Sequence, residues 1–112
     1  MNKYRAKKTS CRAGHTHASK REATRCDELH LLLRAGEIES LEREPKFWFA
    51  INGIQLKHDN GHRVGYTADF KFVDRQTGRT VVEDTKGFTV RDWPLRKAVF
   101  RALYPDLILR EV

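Results

Sequence analysis

The chain has 112 residues, of which 39% are hydrophobic and 33% are charged. This length suits one domain with a core of its own and is too short for two. No apolar run approaches the roughly 18 residues of a membrane span, and no apolar segment follows the basic N-terminus as it would in a secretory signal, so we expect a cytoplasmic protein with no membrane partner.

The net charge of +7 is concentrated at the N-terminus. Residues 1–25 contain eight Lys or Arg and one acid, whereas residues 26–112 contain 14 of each. A basic arm in front of a neutral domain is typical of nucleic-acid-binding proteins, although a solvated tail without a partner has the same composition. Because residues 1–13 are polar and have no periodicity, we predict a flexible arm there and a single domain over residues 14–112.

The first predicted helix begins at a capping box, Ser19 to Glu22. Apolar residues recur at helical spacing after it, and Gly36 predicts the end of the helix. The residues of this stripe are Ala23, Cys26, Leu29, His30, Leu32 and Leu33.

Two hairpins are predicted after the first helix and a short segment, residues 38–41. Asn52-Gly53 favours a two-residue turn in the first hairpin, and a four-residue loop joins the strands of the second. The predicted strands span residues 47–51, 54–56, 64–74 and 79–86.

The second predicted helix follows a capping signal, Thr89 to Asp92, and has Pro94 near its start, where a missing N–H does no harm. Tyr104-Pro105 ends the helix, and residues 107–109 form a closing strand. The order α-β-β-β-β-α-β predicts an α/β fold in which a mixed β-sheet is flanked by two helices. The apolar face of the second helix is predicted to consist of Leu95, Val99, Ala102 and Leu103.

Two acids fall opposite each other in the second predicted hairpin. If Asp74 and Arg79 flank its loop, Asp69 pairs with Asp84, with Cβ atoms about 5 Å apart on one face of the sheet, and Lys86 is the diagonal neighbour. Two carboxylates this close repel unless a cation lies between them or one is protonated, and Mg²⁺ takes such ligands together with water and phosphate oxygens. The pattern indicates a metal-dependent phosphodiester site, although cross-strand ion pairs on an exposed face would have the same spacing.

Three neighbouring side chains complete this prediction. Tyr66 and Glu83 are predicted to point away from the acid pair, with Tyr66 on the core side. Glu22 has two interpretations: it caps the first helix, or it reaches the acid pair from the helical face that it shares with Cys26 and Leu29.

Six short motifs follow one another through residues 14–112. They are Gly-His-x-His-x-Ser-x-x-Glu-Ala (14–23), Glu-Leu…Ala-Gly-x-Ile (28–38), Pro-x-Phe (45–47), Tyr-x-Ala-Asp-Phe (66–70), Val-Val-Glu-Asp-x-Lys-Gly (81–87) and a final Tyr-Pro…Glu-Val. This series resembles a family of small phage and prophage proteins that is similar to PD-(D/E)XK nucleases of the resolvase-like kind. The resemblance implies a restriction-endonuclease-like core, dependence on Mg²⁺ or Mn²⁺, and a DNA substrate such as a branched or recombination intermediate.

The resemblance also implies a role for each acid. Glu22 resembles the acid of the first helix, Asp69 the motif aspartate, Asp84 the second metal-binding acid and Lys86 the catalytic lysine. Glu44 is a departure, because relatives usually have glutamine before the proline.

Basic residues near the acids are predicted to bind DNA phosphates. They are Lys20, Arg21, Arg91, Arg96 and Lys97. Trp48 and Trp93 are expected to pack in the core or at an interface rather than to stack on bases.

The Cys and His residues near the N-terminus have two interpretations. They match a zinc site in part, but the Cys-x₂₋₄-Cys pair that opens most structural zinc sites is missing. The alternative is that Cys26 packs in the core and the histidines are exposed. The residues concerned are Cys11, His15, His17, Cys26 and His30.

We therefore expect a Mg²⁺- or Mn²⁺-dependent DNA endonuclease of a bacterial host cell, with Asp69, Asp84 and Glu22 at the metal and Lys86 assisting the attacking water. A homodimer is expected if two strands must be cut. The alternative is a nucleic-acid-binding protein that keeps the same fold but has no activity.

Overall fold

The computed structural model describes residues 9–12, 14, 19–85 and 91–112, together with the backbone of residues 16–17. The described helices are α1 (Lys20–Arg34) and α2 (Trp93–Leu103), and neither is long and apolar enough to cross a membrane. The described strands are β1 (Thr9–Ser10), β2 (Thr16–His17), β3 (Ile38–Arg43), β4 (Lys46–Trp48), β5 (Ala50–Ile51), β6 (Ile54–Gln55), β7 (Gly65–Thr67), β8 (Phe70–Asp74), β9 (Thr80–Asp84) and β10 (Leu107–Glu111).

The largest sheet has four strands in the order β10-β9-β8-β3. β10 runs parallel to β9, and the other two pairs are antiparallel. The predicted α/β class with a mixed sheet and two helices is therefore confirmed.

The predicted strand order is wrong at β3, because it includes no strand in the short segment over residues 38–41. Its sequence, Ile-Glu-Ser-Leu-Glu-Arg, exposes Glu39, Glu42 and Arg43 and buries only Ile38. It is an edge strand that, among the described strands, pairs with β8 alone, and its register shifts between Glu39 and Glu42. Charged side chains and irregular pairing are common on edge strands, and they hide the alternation by which strands are predicted.

The register predicted for the second hairpin is confirmed. Phe70 pairs with Glu83 and Val73 with Thr80, and the loop between Asp74 and Arg79 closes with a hydrogen bond of 2.9 Å from the Asp74 N–H to the Arg79 carbonyl. The predicted strand over residues 64–74 is divided, however. β7 pairs with β4, outside the four-stranded sheet, and β8 begins only at Phe70.

The first hairpin is also confirmed, although its predicted strand over residues 47–51 is divided into β4 and β5. Ile51 pairs with Ile54 across the turn. Asn52 and Gly53 have φ values of +54° and +76°, which are those of a type I′ turn.

Helix α1 begins and ends as predicted. The Ser19 hydroxyl accepts a hydrogen bond from the Glu22 N–H at 3.2 Å. At the other end Gly36, with φ +77°, donates to the Leu33 carbonyl, while Glu37 donates to that of Leu32. These two bonds form a Schellman motif, which only a residue tolerant of positive φ completes at low cost.

Helix α2 differs from its prediction in its start and in its buried face. It begins at Trp93, with Asp92 at the N-cap position, while Thr89 lies outside the described residues. Leu95 is 70% exposed and Ala102 is exposed, whereas Val99 and Leu103 pack against the core as predicted. The buried residues of the helix are Trp93 and Phe100, two helical turns apart. The two aromatic rings remove more apolar surface from water than the aliphatic residues would, so they decide which face packs on the sheet.

Two hydrophobic clusters lie on opposite faces of the sheet. One joins Cys26 and Leu29 of α1 to Phe70, Phe72 and Val81; the other joins α2 to Val82 and to the β4–β7 pair. Cys11 belongs to the first cluster, and β1 pairs with β2. The described part of the predicted N-terminal arm, residues 9–12, is thus packed against the domain.

Candidate functional site

Asp69 and Asp84 lie at one edge of the four-stranded sheet, where β8 begins and β9 ends. Asp84 is the last residue of β9, and Asp69 directly precedes β8. The Asp69 N–H donates to the Glu83 carbonyl at 3.1 Å. This hydrogen bond and the register of the hairpin place Asp69 next to the end of β9, where Asp84 lies.

The Asp84 carboxylate is buried and accepts a hydrogen bond from the Tyr66 hydroxyl, 2.5 Å from Oδ2. The prediction that Tyr66 points away from Asp84 is therefore wrong. The prediction assumes that side chains alternate between the two faces of one continuous strand. The chain leaves the β4–β7 pair and enters the larger sheet at residues 67–69, so this alternation does not continue from Tyr66 to Phe70. Burial, the bond to Asp84 and the nearby charges of Asp69 and Glu111 raise the pKa of Tyr66, which therefore remains a hydrogen-bond donor at neutral pH.

Asp69 is half-buried, and one of its oxygens is held by a single residue. Asp69 Oδ2 accepts hydrogen bonds from the Thr85 N–H and from the Thr85 hydroxyl, both at 2.6 Å. Thr85 stands between Asp84 and the predicted catalytic lysine in the sequence. In the sequence, the only indication of a role for Thr85 is its position inside the Val-Val-Glu-Asp-x-Lys-Gly motif. For Tyr66, the only indication is its position at the start of the Tyr-x-Ala-Asp-Phe motif.

The structure does not bring Glu22 into a three-acid cluster. Glu22 is buried in the first turn of α1, and its N–H bond to Ser19 agrees with a capping position. Helix α1 packs on one face of the sheet, whereas Asp84 contacts Tyr66 on the other. Among residues 9–12, 14, 19–85 and 91–112, no group of three or more His, Cys, Asp or Glu is placed to hold a metal ion.

Lys86 lies outside the described residues, as do residues 87–90. Its predicted role therefore stays a prediction. The exposed Glu44 is next to the site only through its backbone, since its N–H donates to the Asp69 carbonyl at 2.9 Å. Its carboxylate pairs with Arg43 at 3.7 Å.

Glu83 points away from Asp84, as predicted, and forms a buried ion pair with helix α1. Arg25 Nε donates to Glu83 Oε1 and Arg25 Nη2 to Oε2, both at 2.7 Å, and Arg110 lies 3.6 Å from Oε2. The bond to Glu83 raises the pKa of Arg25. This pair attaches α1 to the strand that carries Asp84.

Glu111 of β10 lies beside Asp84 in the parallel register. Its carboxylate accepts bonds from Trp93 Nε1 at 2.7 Å and from Lys97 Nζ at 3.2 Å. These donors lower the pKa of Glu111. The acid edge of the sheet therefore extends onto β10, a position that the predicted site did not include.

A groove of about 630 Å³ lies between the first turns of α1 and the ends of β9 and β10. Thr85, which holds Asp69, lines this groove, so its wall reaches the acid pair. Three of the lining residues are basic. The lining consists of Lys20, Arg21, Thr24, Arg25, Glu28, Thr85 and Val112.

The predicted DNA-binding residues divide into two groups. Lys20 and Arg21 are exposed in the groove, and Arg91 is exposed before α2. Arg96 instead donates to the Gly65 carbonyl and pairs with Asp92 at 2.6 Å, which lowers the pKa of Asp92. Lys97 pairs with Glu111. Arg96 and Lys97 thus make contacts within the protein.

The two tryptophans differ from each other. Trp93 is buried in the core, as expected. Trp48 is partly exposed, and the Arg63 guanidinium lies 3.9 Å from its ring centroid.

The N-terminal Cys and His residues fit core packing better than a zinc site. Cys11 and Cys26 are both buried in the core and are not joined by a disulfide. Burial, together with the neighbouring Cys11, raises the pKa of Cys26 to about 12. His30 Nδ1 lies 2.8 Å from the Cys26 carbonyl. His15 and the side chain of His17 lie outside the described residues.

Comparison with known proteins gives a family and no activity. No curated protein matches the chain, and no solved structure matches it. One family model, described as "Protein of unknown function (DUF1064)", matches residues 1–112. The chain therefore belongs to this family.

Proposed function

We propose that this protein is a Mg²⁺- or Mn²⁺-dependent DNA endonuclease with a PD-(D/E)XK type of site on a restriction-endonuclease-like core. The observation that carries the proposal is the Asp69–Asp84 edge, where two acids on neighbouring strands are each held by a neutral hydroxyl donor. Carboxylates at neighbouring strand ends repel unless a cation lies between them or one is protonated, so this edge favours a cation.

The acid edge fits a divalent metal ion in its donor set. Tyr66 and Thr85 each bind an Oδ2 atom, and carboxylates that bind metals are typically oriented by such hydrogen bonds. Mg²⁺ is commonly held by one or two carboxylates and keeps water and phosphate oxygens as its other ligands. Two acids are therefore enough, and Glu22 enters the proposal as a residue that acts through a bridging water.

A bound metal ion would supply polarisation of the scissile phosphate and a lowered pKa for the attacking water. The chain's own residues position the reacting groups. Asp69 and Asp84 would hold the cation at the sheet edge, with Thr85 and Tyr66 limiting the rotation of the two carboxylates. Lys86, two residues after Asp84, orients the attacking water and offsets the negative charge that develops on the phosphate.

The groove beside α1 provides the approach for DNA. Lys20, Arg21 and Arg91 are the exposed basic residues that would contact phosphates, and phosphate contacts give an affinity that falls steeply with salt. Branched DNA and recombination intermediates are the proposed substrates. A homodimer is proposed for cutting two strands.

A nucleic-acid-binding protein without activity is the second candidate, and the basic groove is what favours it. The acid edge separates the two candidates. Without a metal ion, paired carboxylates repel a phosphate, so a protein that only binds would gain affinity when they are neutralised.

The experiment compares cleavage of supercoiled plasmid and of a four-way junction, with Mg²⁺ or Mn²⁺, by wild type and by Asp84→Asn. We expect the substitution to reduce cleavage by about 10³-fold, because it removes several kcal/mol of charge stabilisation. Asp106→Asn is the matched control, since Asp106 is an exposed acid in the turn before β10. Intact DNA under all conditions with wild type would refute the endonuclease, and tighter DNA binding by Asp84→Asn in the same samples would favour the binding protein.

A further inference from the structure

The hairpin formed by β5 and β6 presents two large apolar side chains to solvent. Ile51 is 45% exposed and Ile54 is 67% exposed, and the two pair with each other directly beside the Asn52-Gly53 turn. Adjacent exposed apolar side chains form a patch that another molecule can cover. They form what we call the hairpin tip, residues 51–54.

Side-chain hydrogen bonds attach the base of the hairpin to the domain. The Gln55 side-chain amide donates to three backbone carbonyls, those of Phe49, Leu56 and Val64, at 3.0, 2.8 and 3.1 Å. The hydroxyl of Tyr104, the residue that follows α2, donates to the Trp48 carbonyl at 2.7 Å. A hairpin attached in this way loses less conformational entropy on binding than an unattached one.

The charges around the hairpin favour a polyanionic partner. Residues 46–67 contain three Lys or Arg and one acid. Arg63 is stacked on the Trp48 ring at 3.9 Å, so its guanidinium is fixed at the base of the hairpin. Cations beside an apolar pair are the combination by which proteins bind DNA phosphates and place an aliphatic side chain between base pairs.

We propose that Ile51 and Ile54 act as a wedge that unstacks one base step of the DNA held by this protein. This inference rests on the proposed function and names a substrate class for it: DNA that is kinked, mismatched or branched. Phe47 pairs with Tyr66, the residue that holds Asp84, and Ile51 lies four residues further along. The Cα atoms of Phe47 and Ile51 are therefore at most about 14 Å apart, so the wedge is attached close to the strand pair that supports Asp84.

The test uses short duplexes that carry 2-aminopurine at a matched or a mismatched step, without divalent metal so that no strand is cut. Fluorescence of 2-aminopurine rises when its neighbours are unstacked, and anisotropy gives the affinity. We expect wild type to raise the fluorescence and to bind the mismatched duplex about tenfold tighter, because that step is already partly unstacked. The double variant Ile51→Ser/Ile54→Ser should bind both duplexes equally and leave the fluorescence unchanged.

Leu95→Ser is the matched control, because Leu95 is an equally exposed apolar residue on α2 and should behave as wild type. Ile54→Ser alone, at the more exposed position, repeats the test with a smaller change. If wild type binds both duplexes equally without a change in fluorescence, and cuts plasmid DNA when Mg²⁺ is added in a separate assay, the wedge is overturned and the nuclease stays in place. Absence of both binding and cleavage overturns both, and loss of a wild-type dimer in the double variant assigns the tip to contact between copies instead.

Discussion

The ion pair between Arg25 of α1 and Glu83 of β9 attaches the first helix to the sheet, and its contribution to the free energy of unfolding can be predicted. Glu83 is completely buried, while the Arg25 side chain is 22% exposed, and two hydrogen bonds of 2.7 Å join them. Replacement of Arg25 by Met keeps much of the side-chain length but leaves the carboxylate buried without its main partner. Breaking a buried pair in this way typically costs about 3–5 kcal/mol.

Two features of the structure reduce this cost. Arg25 is partly in water, which screens its charge, and Arg110 remains 3.6 Å from Glu83 Oε2. We therefore expect Arg25→Met to lower the free energy of unfolding by about 2–3 kcal/mol and the melting temperature by roughly 10 °C. The measurement is urea unfolding at neutral pH, followed by circular dichroism, with Arg34→Met as the control because Arg34 is exposed in the last turn of the same helix.

A double variant, Arg25→Met/Glu83→Met, distinguishes the cost of leaving the Glu83 carboxylate buried without Arg25 from the cost of losing the ion pair itself. Since apolar residues can replace a buried ion pair at little cost, the double variant should be more stable than Arg25→Met alone. A loss of less than about 0.5 kcal/mol in Arg25→Met would be that of a surface ion pair. It would refute the conclusion that this pair attaches α1 to β9.

Two further predictions concern the acid edge. Tyr66→Phe should raise the Mg²⁺ concentration needed for half-maximal cleavage by about 10–100-fold, because it removes the donor that orients Asp84; Tyr104→Phe also loses a hydroxyl bond, to the Trp48 carbonyl, and should leave that concentration unchanged. Glu111→Gln should lower stability at pH 7, and its difference from wild type should shrink as pH falls below the ordinary carboxyl pKa of 4.5 towards the lower folded value. The sign follows because a carboxyl whose pKa is depressed by folding stabilises above its unfolded pKa and stops doing so once it is protonated in the folded state. Urea unfolding at several pH values checks this, and a difference that stays constant below pH 4.5 would contradict it.

The parts of the fold that depend on neighbours in sequence were predictable. The Asn52-Gly53 turn and the loop after Asp74 fix the pairing of the strands beside them, so the register that places Asp69 near Asp84 follows from loop length alone. The start of α1 at Ser19 and its end at Gly36 are equally local, because each satisfies backbone groups within one helical turn.

The features that the sequence did not reveal depend on distant contacts. Arg25 and Glu83 are 58 residues apart, and nothing in either segment indicates the other. The buried face of α2 is set by the packing of Phe100 against Phe47 and Tyr66, with ring centroids 5.0 and 5.3 Å away. The position of Tyr66 depends on the change of sheet between β7 and β8, where a period of two no longer predicts which side a residue faces.

The end of β9 is held from both faces of the sheet just before the residues proposed to act on the phosphate. Glu83 and Asp84 are adjacent, so their side chains leave the strand on opposite sides. Glu83 is bound to α1 through Arg25, and Asp84 is bound to Tyr66 on the α2 side. Metal ligands must be held within about 0.5 Å of their productive positions, and supporting bonds on both sides of a strand are an effective way to do so. Because Glu83 and Asp84 are adjacent at the end of the same strand, loss of the Arg25–Glu83 ion pair should shift the position of the Asp84 carboxylate even though Arg25 does not contact it.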